Sequence, residues 1–342
     1  MTSLAKQRAN DTRTKIVALL SDEKFVSGEA ISRTLHITRS SVCNHIKALN
    51  DLGLDIFSVK GRGYKLSQAL SMLDRDLIVA RISNKKDAQI VVHNIVGSTN
   101  DLMKERLAAD NFGDTQGQAQ LSQGSTILAE AQTQGRGRRG RKWVSPFGAS
   151  LYLTMLWRFD SGYQAMSGLS LLIGIGLKRA LIQLGLPECK LKWPNDVYFD
   201  NKKLAGILVE VEGQLGEASD AIIGIGVNVN LPEGVQDIDQ AFTDLSSISK
   251  STNLVLDRNH IAATLIEELW RILPLFEQEG LSAFLDEWKE ADLFADRNVN
   301  LVSGRFTTAG IARGIDESGA LLLEVDGTVK AYYGGEISVR PA

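Results

Sequence analysis

The sequence predicts a multidomain α+β protein in three parts: a small helical module with a β-wing, a mixed central sheet domain and a short all-strand unit at the C-terminus. Three observations carry that prediction. A chain of 342 residues is longer than one hydrophobic core usually organises. Apolar residues recur at helical spacing between Thr14 and Asn50, pass into strands that follow one another with little helix between them, and alternate with period two after Leu293. Charge is also divided. Residues 1–66 hold eleven Lys and Arg against six Asp and Glu, a net of +5, in a chain whose formal net charge is −3. A basic module joined to an acidic body suits a polyanionic partner for the first part alone.

The first domain, 1–66, opens with Ile16, Val17, Leu19 and Leu20 on one face of a helix from Thr14 to Leu20. A second short helix covers Ser27 to Leu35, His36-Ile37 form a turn, and Thr38 caps a third helix from Arg39 to about Asn50. In that helix Val42, Ile46 and Leu49 share a face, which turns Ser40, Asn44 and Lys47 outward. Two short strands, Asp55 to Val59 and Tyr64 to Leu66, flank the turn Lys60-Gly61-Arg62-Gly63. The order is that of a winged helix-turn-helix. Read as a DNA-binding module, Arg39, Lys60 and Arg62 would hold phosphates, while Ser40, Ser41, Asn44 and the cation Lys47 would face the major groove. A docking domain whose surface happens to be basic has the same pattern.

Ser67 to Leu73 connects to a second domain, 74–292. Strands are expected at Gln89–Val96, Thr126–Ala129, Ser150–Trp157, Lys190–Trp193, Asp196–Phe199, Ala205–Glu212 and Ala221–Val229. Helices are expected at Asn100–Ala109, Gly168–Leu184, Asn259–Gln278 and Leu281–Ala291. Consecutive strands favour an α+β sheet with helices to one side over a doubly wound array. Gly113 to Gly124, polar and rich in Gln and Gly, reads as a mobile loop. The third domain, 293–342, alternates at Val299/Leu301, Leu321/Leu323/Val325 and Ile337/Val339, with turns at Ser303-Gly304, Ser318-Gly319, Asp326-Gly327 and Gly334-Gly335.

Chemistry concentrates in the run Gly135-Arg136-Gly137-Arg138-Arg139-Gly140-Arg141-Lys142-Trp143, where four arginines and a lysine alternate with three glycines. Arginine forks bind phosphate or carboxylate oxygens in pairs, and glycine lets the backbone come close and move. A solvated basic loop is the plain alternative. Two further segments bear on the choice, Lys192-Trp193-Pro194-Asn195-Asp196 and Lys203-Leu204-Ala205-Gly206-Ile207-Leu208-Val209-Glu210. No Walker A sequence is present, and His36, His45, His93 and His260 form no nucleophile pattern. The two cysteines, Cys43 and Cys189, have no metal-like spacing, and no apolar run reaches the ~18 residues of a membrane helix. A cytoplasmic protein without a disulfide framework is expected.

Taken together, the three segments resemble the signature of biotin protein ligases, and with the N-terminal module the chain resembles the bifunctional ligase/repressors of biotin operons from about residue 12 to 342. The resemblance implies a central domain of the biotin/lipoate ligase type, a C-terminal SH3-like β-barrel, and an ATP-dependent reaction. Biotin's carboxylate joins the α-phosphate of ATP to give biotinyl-5′-AMP, and biotin then passes to a lysine of a biotin carboxyl carrier protein. It further implies Mg²⁺, operator DNA of biotin genes with the adenylate as corepressor, a homodimer when the adenylate is bound, and no membrane partner. Arg138, Lys203 and Asp196 match catalytic positions, Asp196 also as the Mg²⁺ ligand. Biotin would meet Ser98, Thr99, Asn100, Gln132, Gly135, Arg136, Gly137, Arg138, Trp143, Lys203 and Gly206. ATP would meet Arg136, Arg138, Arg139, Arg141, Asn195, Asp196, Asn228 and Arg340. Gly97 stands where the family often has aspartate, Ser98 and Thr99 could equally cap a helix, and Trp143 and Ile207 could be wall or core. A lipoate ligase and a biotin sensor without turnover are the rival readings.

Overall fold

The computed structural model describes residues 3–83, 89–111, 113, 120–160, 162, 166–213, 217–232, 234–250, 254–334 and 337–342. Helices α1 (Ser3–Leu19), α2 (Gly28–Leu35) and α3 (Arg39–Asp51) precede a two-stranded antiparallel wing, β1 (Ile56–Val59) and β2 (Gly63–Leu66). Thr38 accepts the amide of Ser41 at 3.1 Å and caps α3 as expected, while Ser27, expected as the first residue of the second helix, caps it instead by accepting the amide of Ala30. Val42, Ile46 and Leu49 are buried as the period requires. Helix α1 begins well before Thr14. Its early residues show no apolar stripe, and a tertiary bond from Asn10 to the Ile95 carbonyl, 3.2 Å, anchors this part.

The central domain is a seven-stranded sheet of β3 (Ile90–Val96), β4 (Thr126–Gln132), β5 (Ser150–Phe159), β6 (Lys190–Lys192), β7 (Asp196–Phe199), β8 (Lys202–Glu212) and β9 (Ser219–Asn228), in the order β3-β4-β5-β9-β8-β7-β6. Only the β3–β4 pair is parallel. Helices α4 (Arg75–Arg81), α5 (Thr99–Asn111), α6 (Leu169–Gln183), α7 (Leu245–Ser249), α8 (Arg258–Glu279) and α9 (Leu285–Ala291) surround it. Alternate strand residues enter different cores. Leu128, Leu153 and Ile223 join α6 and α8, whereas Ile127, Leu156 and Ile222 pack with Met103 and Leu107 of α5. The expectation of helices on one side is therefore corrected: α5 covers part of the opposite face and leaves the rest of it open. The helix expected at Leu281–Ala291 is a 3₁₀ segment, Gly280–Phe284, followed by α9.

At the C-terminus β10 (Asn298–Ser303), β11 (Phe306–Ile315), β12 (Leu321–Val325), β13 (Thr328–Tyr332) and β14 (Ile337–Pro341) form an antiparallel sheet in the order β13-β12-β11-β10-β14. Val299, Leu301, Leu321, Leu323 and Val339 fill its interior. Half of the expected loop at Gly113–Gly124, residues 114–119, and Gly335 of the expected turn lie outside the described residues. Among the described residues, no helix is long and apolar enough to cross a membrane.

The connector between the first two domains is clamped rather than loose. Glu130 accepts the Leu73 amide at 2.5 Å, Arg258 donates to Ser71 O at 2.5 Å and Asn259 to Met72 O at 3.1 Å. The winged module itself leans on the central domain: Ile95, Ala131 and Phe147 belong to the same apolar cluster as Ile16, Ile31 and Leu49.

Candidate functional site

On the open face of the central sheet lies a cavity of about 740 Å³, bounded by the start of α5, strands β8 and β9, the segment 135–143 and the last strand, β14. Its lining carries eight Lys and Arg side chains against three Asp. That balance asks for an anionic ligand.

The floor is a fixed network of amides and hydroxyls. The backbone N–H and the hydroxyl of Thr99 both donate to Gln132 Oε1, at 2.9 and 3.1 Å, and Gln132 Nε2 donates to Ser145 Oγ at 3.2 Å. Thr154 Oγ1 lies 2.8 Å from Thr99 Oγ1 and 2.7 Å from Asn100 Oδ1. Asn100 donates in turn to Glu210 at 2.8 Å. Ser98, Thr99 and Asn100 are all buried and line the cavity. Burial opposes ionisation of Glu210, but hydrogen bonds from Asn100, Lys104 and Arg136 hold its carboxyl below the usual range.

The glycine-arginine segment is a short hairpin. Trp143 N donates to Gly135 O at 2.9 Å, Arg136 bridges Lys142, and Gly137 N donates to Arg141 O at 2.7 Å. The turn Arg138–Gly140 is one 3₁₀ turn with Arg139 at φ 59°. Its glycines predict a loop that is mobile when empty and orders over the product; in this structure backbone hydrogen bonds and an ion pair shape it into a hairpin. Lys142 pairs with Asp237 at 3.1 Å, joining the hairpin to the segment 237–242 across the cavity. Trp143 is a wall. Its indole lies flat on β8 and β9, where a Cβ at Gly206 or Gly226 would come within 2.9 or 2.6 Å of the ring. Those glycines exist to admit it.

The arginines divide by position. Arg136 turns to Asp101 at 2.5 Å and Glu210 at 3.1 Å beside α5, so its guanidinium secures the hairpin. Arg138, half-buried, points inward and donates to Asn195 Oδ1 at 3.2 Å. Burial lowers its pKa, Asp196 opposes the shift, and Arg141 and Arg139 add to it. Arg139 and Arg141 are exposed on the rim, as is Arg340 on β14. Lys203 Nζ is 2.6 Å from Asp196 Oδ1, a close ion pair without the alignment of a hydrogen bond, and 5.4 Å from the centre of the Trp143 ring. Asn195 Nδ2 holds Ile207 O at 2.7 Å, and Asn228 Nδ2 holds Thr243 O at 3.0 Å.

Every residue expected around biotin and ATP thus borders this cavity, except Gly135, which closes the hairpin base behind it. Sequence reasoning passed over Lys192, Glu210 and the segment with Asp237, Asp239 and Phe242. Lys192 and Glu210 stood within quoted motifs without being assigned a role; Asp237, Asp239 and Phe242 carried no signal in a polar stretch. On the winged module Arg39, Ser40, Asn44 and Lys47 are exposed, Ser41 is half-buried, and Lys60 and Arg62 lie at the wing tip. The Arg62 guanidinium rests 4.4 Å over the Phe25 ring, and Cys43 Sγ of α3 meets Tyr64 Oη of the wing at 3.1 Å.

The open-faced sheet, its cationic cavity and the appended five-stranded unit define a ligase domain joined to a helix-turn-helix module. Residues 96–228 match the biotin/lipoate A/B protein ligase family, residues 12–65 an HTH domain, and residues 295–340 the biotin protein ligase C-terminal domain. The chain is 43% identical to the bifunctional ligase/repressor BirA of Salmonella typhimurium over 96% of its length and 97% of that protein. It is 41% identical to the Escherichia coli protein of the same name, over 97% and 98%. The biotin protein ligase of Aquifex aeolicus, solved with biotin and ATP, superposes with a TM-score of 0.62 at 28% identity, covering 74% of this chain and 99% of that one. The chain belongs to the biotin/lipoate A/B protein ligase family.

Proposed function

We propose that the chain is an ATP-dependent biotin protein ligase that also represses biotin genes, with biotinyl-5′-AMP as intermediate and corepressor. One observation carries this reading: a cationic cavity with a hydrogen-bonded amide floor, in a chain similar over nearly its full length to bifunctional ligase/repressors. Domains of 1–66, 74–292 and 293–342 divide the two tasks.

Biotin's ring system lies on the Ser98–Asn100 and Gln132 floor against Trp143, and its carboxylate reaches toward Lys203 and Arg138. A carboxylate oxygen attacks the α-phosphorus of ATP; the new C–O–P bond forms as the bond to the β-phosphate breaks, and pyrophosphate leaves with the electron pair. The amine of a carrier lysine then displaces AMP from the acyl carbon and loses its proton. Both nucleophiles come from substrates. The protein supplies alignment and fixed positive charge. Among the described residues no cluster of three or more His, Cys, Asp or Glu is disposed to hold a metal. Asp196, the cavity carboxylate beside Lys203, would hold Mg²⁺ that arrives with ATP. When bound, the ion offsets phosphate charge.

Biotin-dependent exchange of pyrophosphate into ATP, with lipoate as the control acid, tests the reaction; labelled biotin passing to a carrier protein tests the transfer. No biotin-dependent exchange would end this reading. Arg138→Gly removes the link from the hairpin to Asn195. Its expected phenotype is escape of the adenylate and indiscriminate labelling of exposed lysines; tight retention by this variant would refute the sheltering role.

For the repressor function, operator DNA meets Arg39, Ser40, Ser41, Asn44, Lys47, Lys60 and Arg62. Arg62→Ala is expected to lower DNA affinity and to reduce the salt slope of binding by ~0.9. An unchanged slope would remove the wing from the interface. A homodimer when adenylate is bound, read by sedimentation with and without biotin and ATP, completes the proposal, and its partners place the work in the cytoplasm.

A further inference from the structure

Lys192 stands apart from the other cations of the cavity. It belongs to β6, the last strand of the sheet, beside the C-terminal domain, whose Leu293 N donates to Leu191 O at 2.8 Å. Its side chain is half-buried, donates one hydrogen bond, 3.1 Å, to Tyr198 Oη, and lies with its ammonium 4.9 Å from the centre of that ring. Lys203, by contrast, is already paired with Asp196 at 2.6 Å, and Arg136 with Asp101 and Glu210. Among the described residues no carboxylate lies within ion-pair distance of Lys192. Its charged surroundings are Asp196, which favours the ammonium, and Lys203, Arg141 and Arg340, which oppose it. Burial outweighs these and lowers its pKa.

A half-buried ammonium with N–H donors to spare and cationic neighbours is costly unless something anionic joins it. The cavity runs from the amide floor near β3 and α5 to this cationic end near β6 and β14. An acid seated on the floor, with its carboxylate at Lys203, leaves the far phosphates of the nucleotide at the Lys192 end.

We propose that Lys192 is a catalytic residue of the first half-reaction, holding the β- and γ-phosphates of ATP and stabilising the pyrophosphate as it leaves. Its N–H groups donate to the phosphate oxygens that gain charge when the Pα–O bond breaks; no proton transfer is required. The assignment rests on the ligase reading above. It separates Lys192 from Lys203, whose place is at the forming bond.

The test uses the full-length protein with Lys192→Met, which keeps the stem against Tyr198, and Lys192→Arg, which restores charge. Biotin-dependent exchange of inorganic pyrophosphate into ATP should fall on the order of 10²–10³-fold in Lys192→Met, the effect of removing one preorganised charge donor. Lys192→Arg should recover part of it. Biotin binding and transfer from supplied biotinyl-5′-AMP to the carrier should be retained, and inhibition by added pyrophosphate should weaken. Wild-type exchange rates in Lys192→Met would overturn the assignment, and so would an equal loss of biotin binding and transfer, the mark of a structural role. If the wild-type protein itself showed no exchange, the ligase reading would fail first.

Discussion

Lys203→Ala is expected to fold, to bind biotin, and to form biotinyl-5′-AMP slower by on the order of 10²–10³-fold, about 3–4 kcal/mol of lost transition-state stabilisation. Two anions, a carboxylate and a phosphate, must approach to bonding distance in a partly desolvated cavity, where their repulsion is far stronger than in water. Lys203 sits where that contact forms, against Trp143 and 2.6 Å from Asp196. Removing it also strands the Asp196 carboxylate facing the incoming anions. Lys203→Met, which keeps the stem over the indole, separates charge from packing, and Lys203→Met with Asp196→Asn relieves the stranded charge. The rate should stay low in all three. Near-normal pyrophosphate exchange in any of them would exclude Lys203 from the chemistry.

The largest stability effect should come from a residue outside the cavity. Arg258 is 5% exposed and lies 2.7 Å from the fully buried Glu130; it also donates to Ser150 O at 3.3 Å and to Ser71 O at 2.5 Å. The contact to Glu130 is an ion pair without hydrogen-bond alignment, so the remaining order comes from the two carbonyls and from Leu73 N on Glu130. Arg258→Ala leaves a carboxylate buried without a counter-charge, which costs about 3–5 kcal/mol. Arg258→Met with Glu130→Gln should cost less than Arg258→Ala alone, because no charge is then stranded. Denaturant unfolding measures both. A loss under ~1 kcal/mol for Arg258→Ala would show that water or a rearranged connector compensates.

Local pattern carried much of the architecture. The cap at Thr38, the stripe Val42/Ile46/Leu49 and the period-two cores of the C-terminal strands stood in the sequence as they stand in the fold, because each depends on neighbours within a turn or along a strand. Short α4 and α7, of seven and five residues, escaped notice since neither is long enough to show a period. Strands β11 and β13 bury little beyond Ala312 and so lacked the alternation that marks a core strand. The motifs at 135–143, 192–196 and 203–210 were legible as separate segments, and family resemblance was needed to join them and to add 98–100.

By itself the sequence determined the three-part plan, the helical and strand segments strong in period, and the residue types able to meet an anion. Only the tertiary structure decided which cations are spoken for and which are not. Arg136 is taken by Asp101 and Glu210, Lys203 by Asp196, while Lys192 keeps donors free. The reason is that a charge's role depends on what lies within a few ångströms of it, and sheet register sets those neighbours. The β8–β9 pairing puts Gly206 opposite Gly226 under Trp143. It joins residues that no local pattern relates.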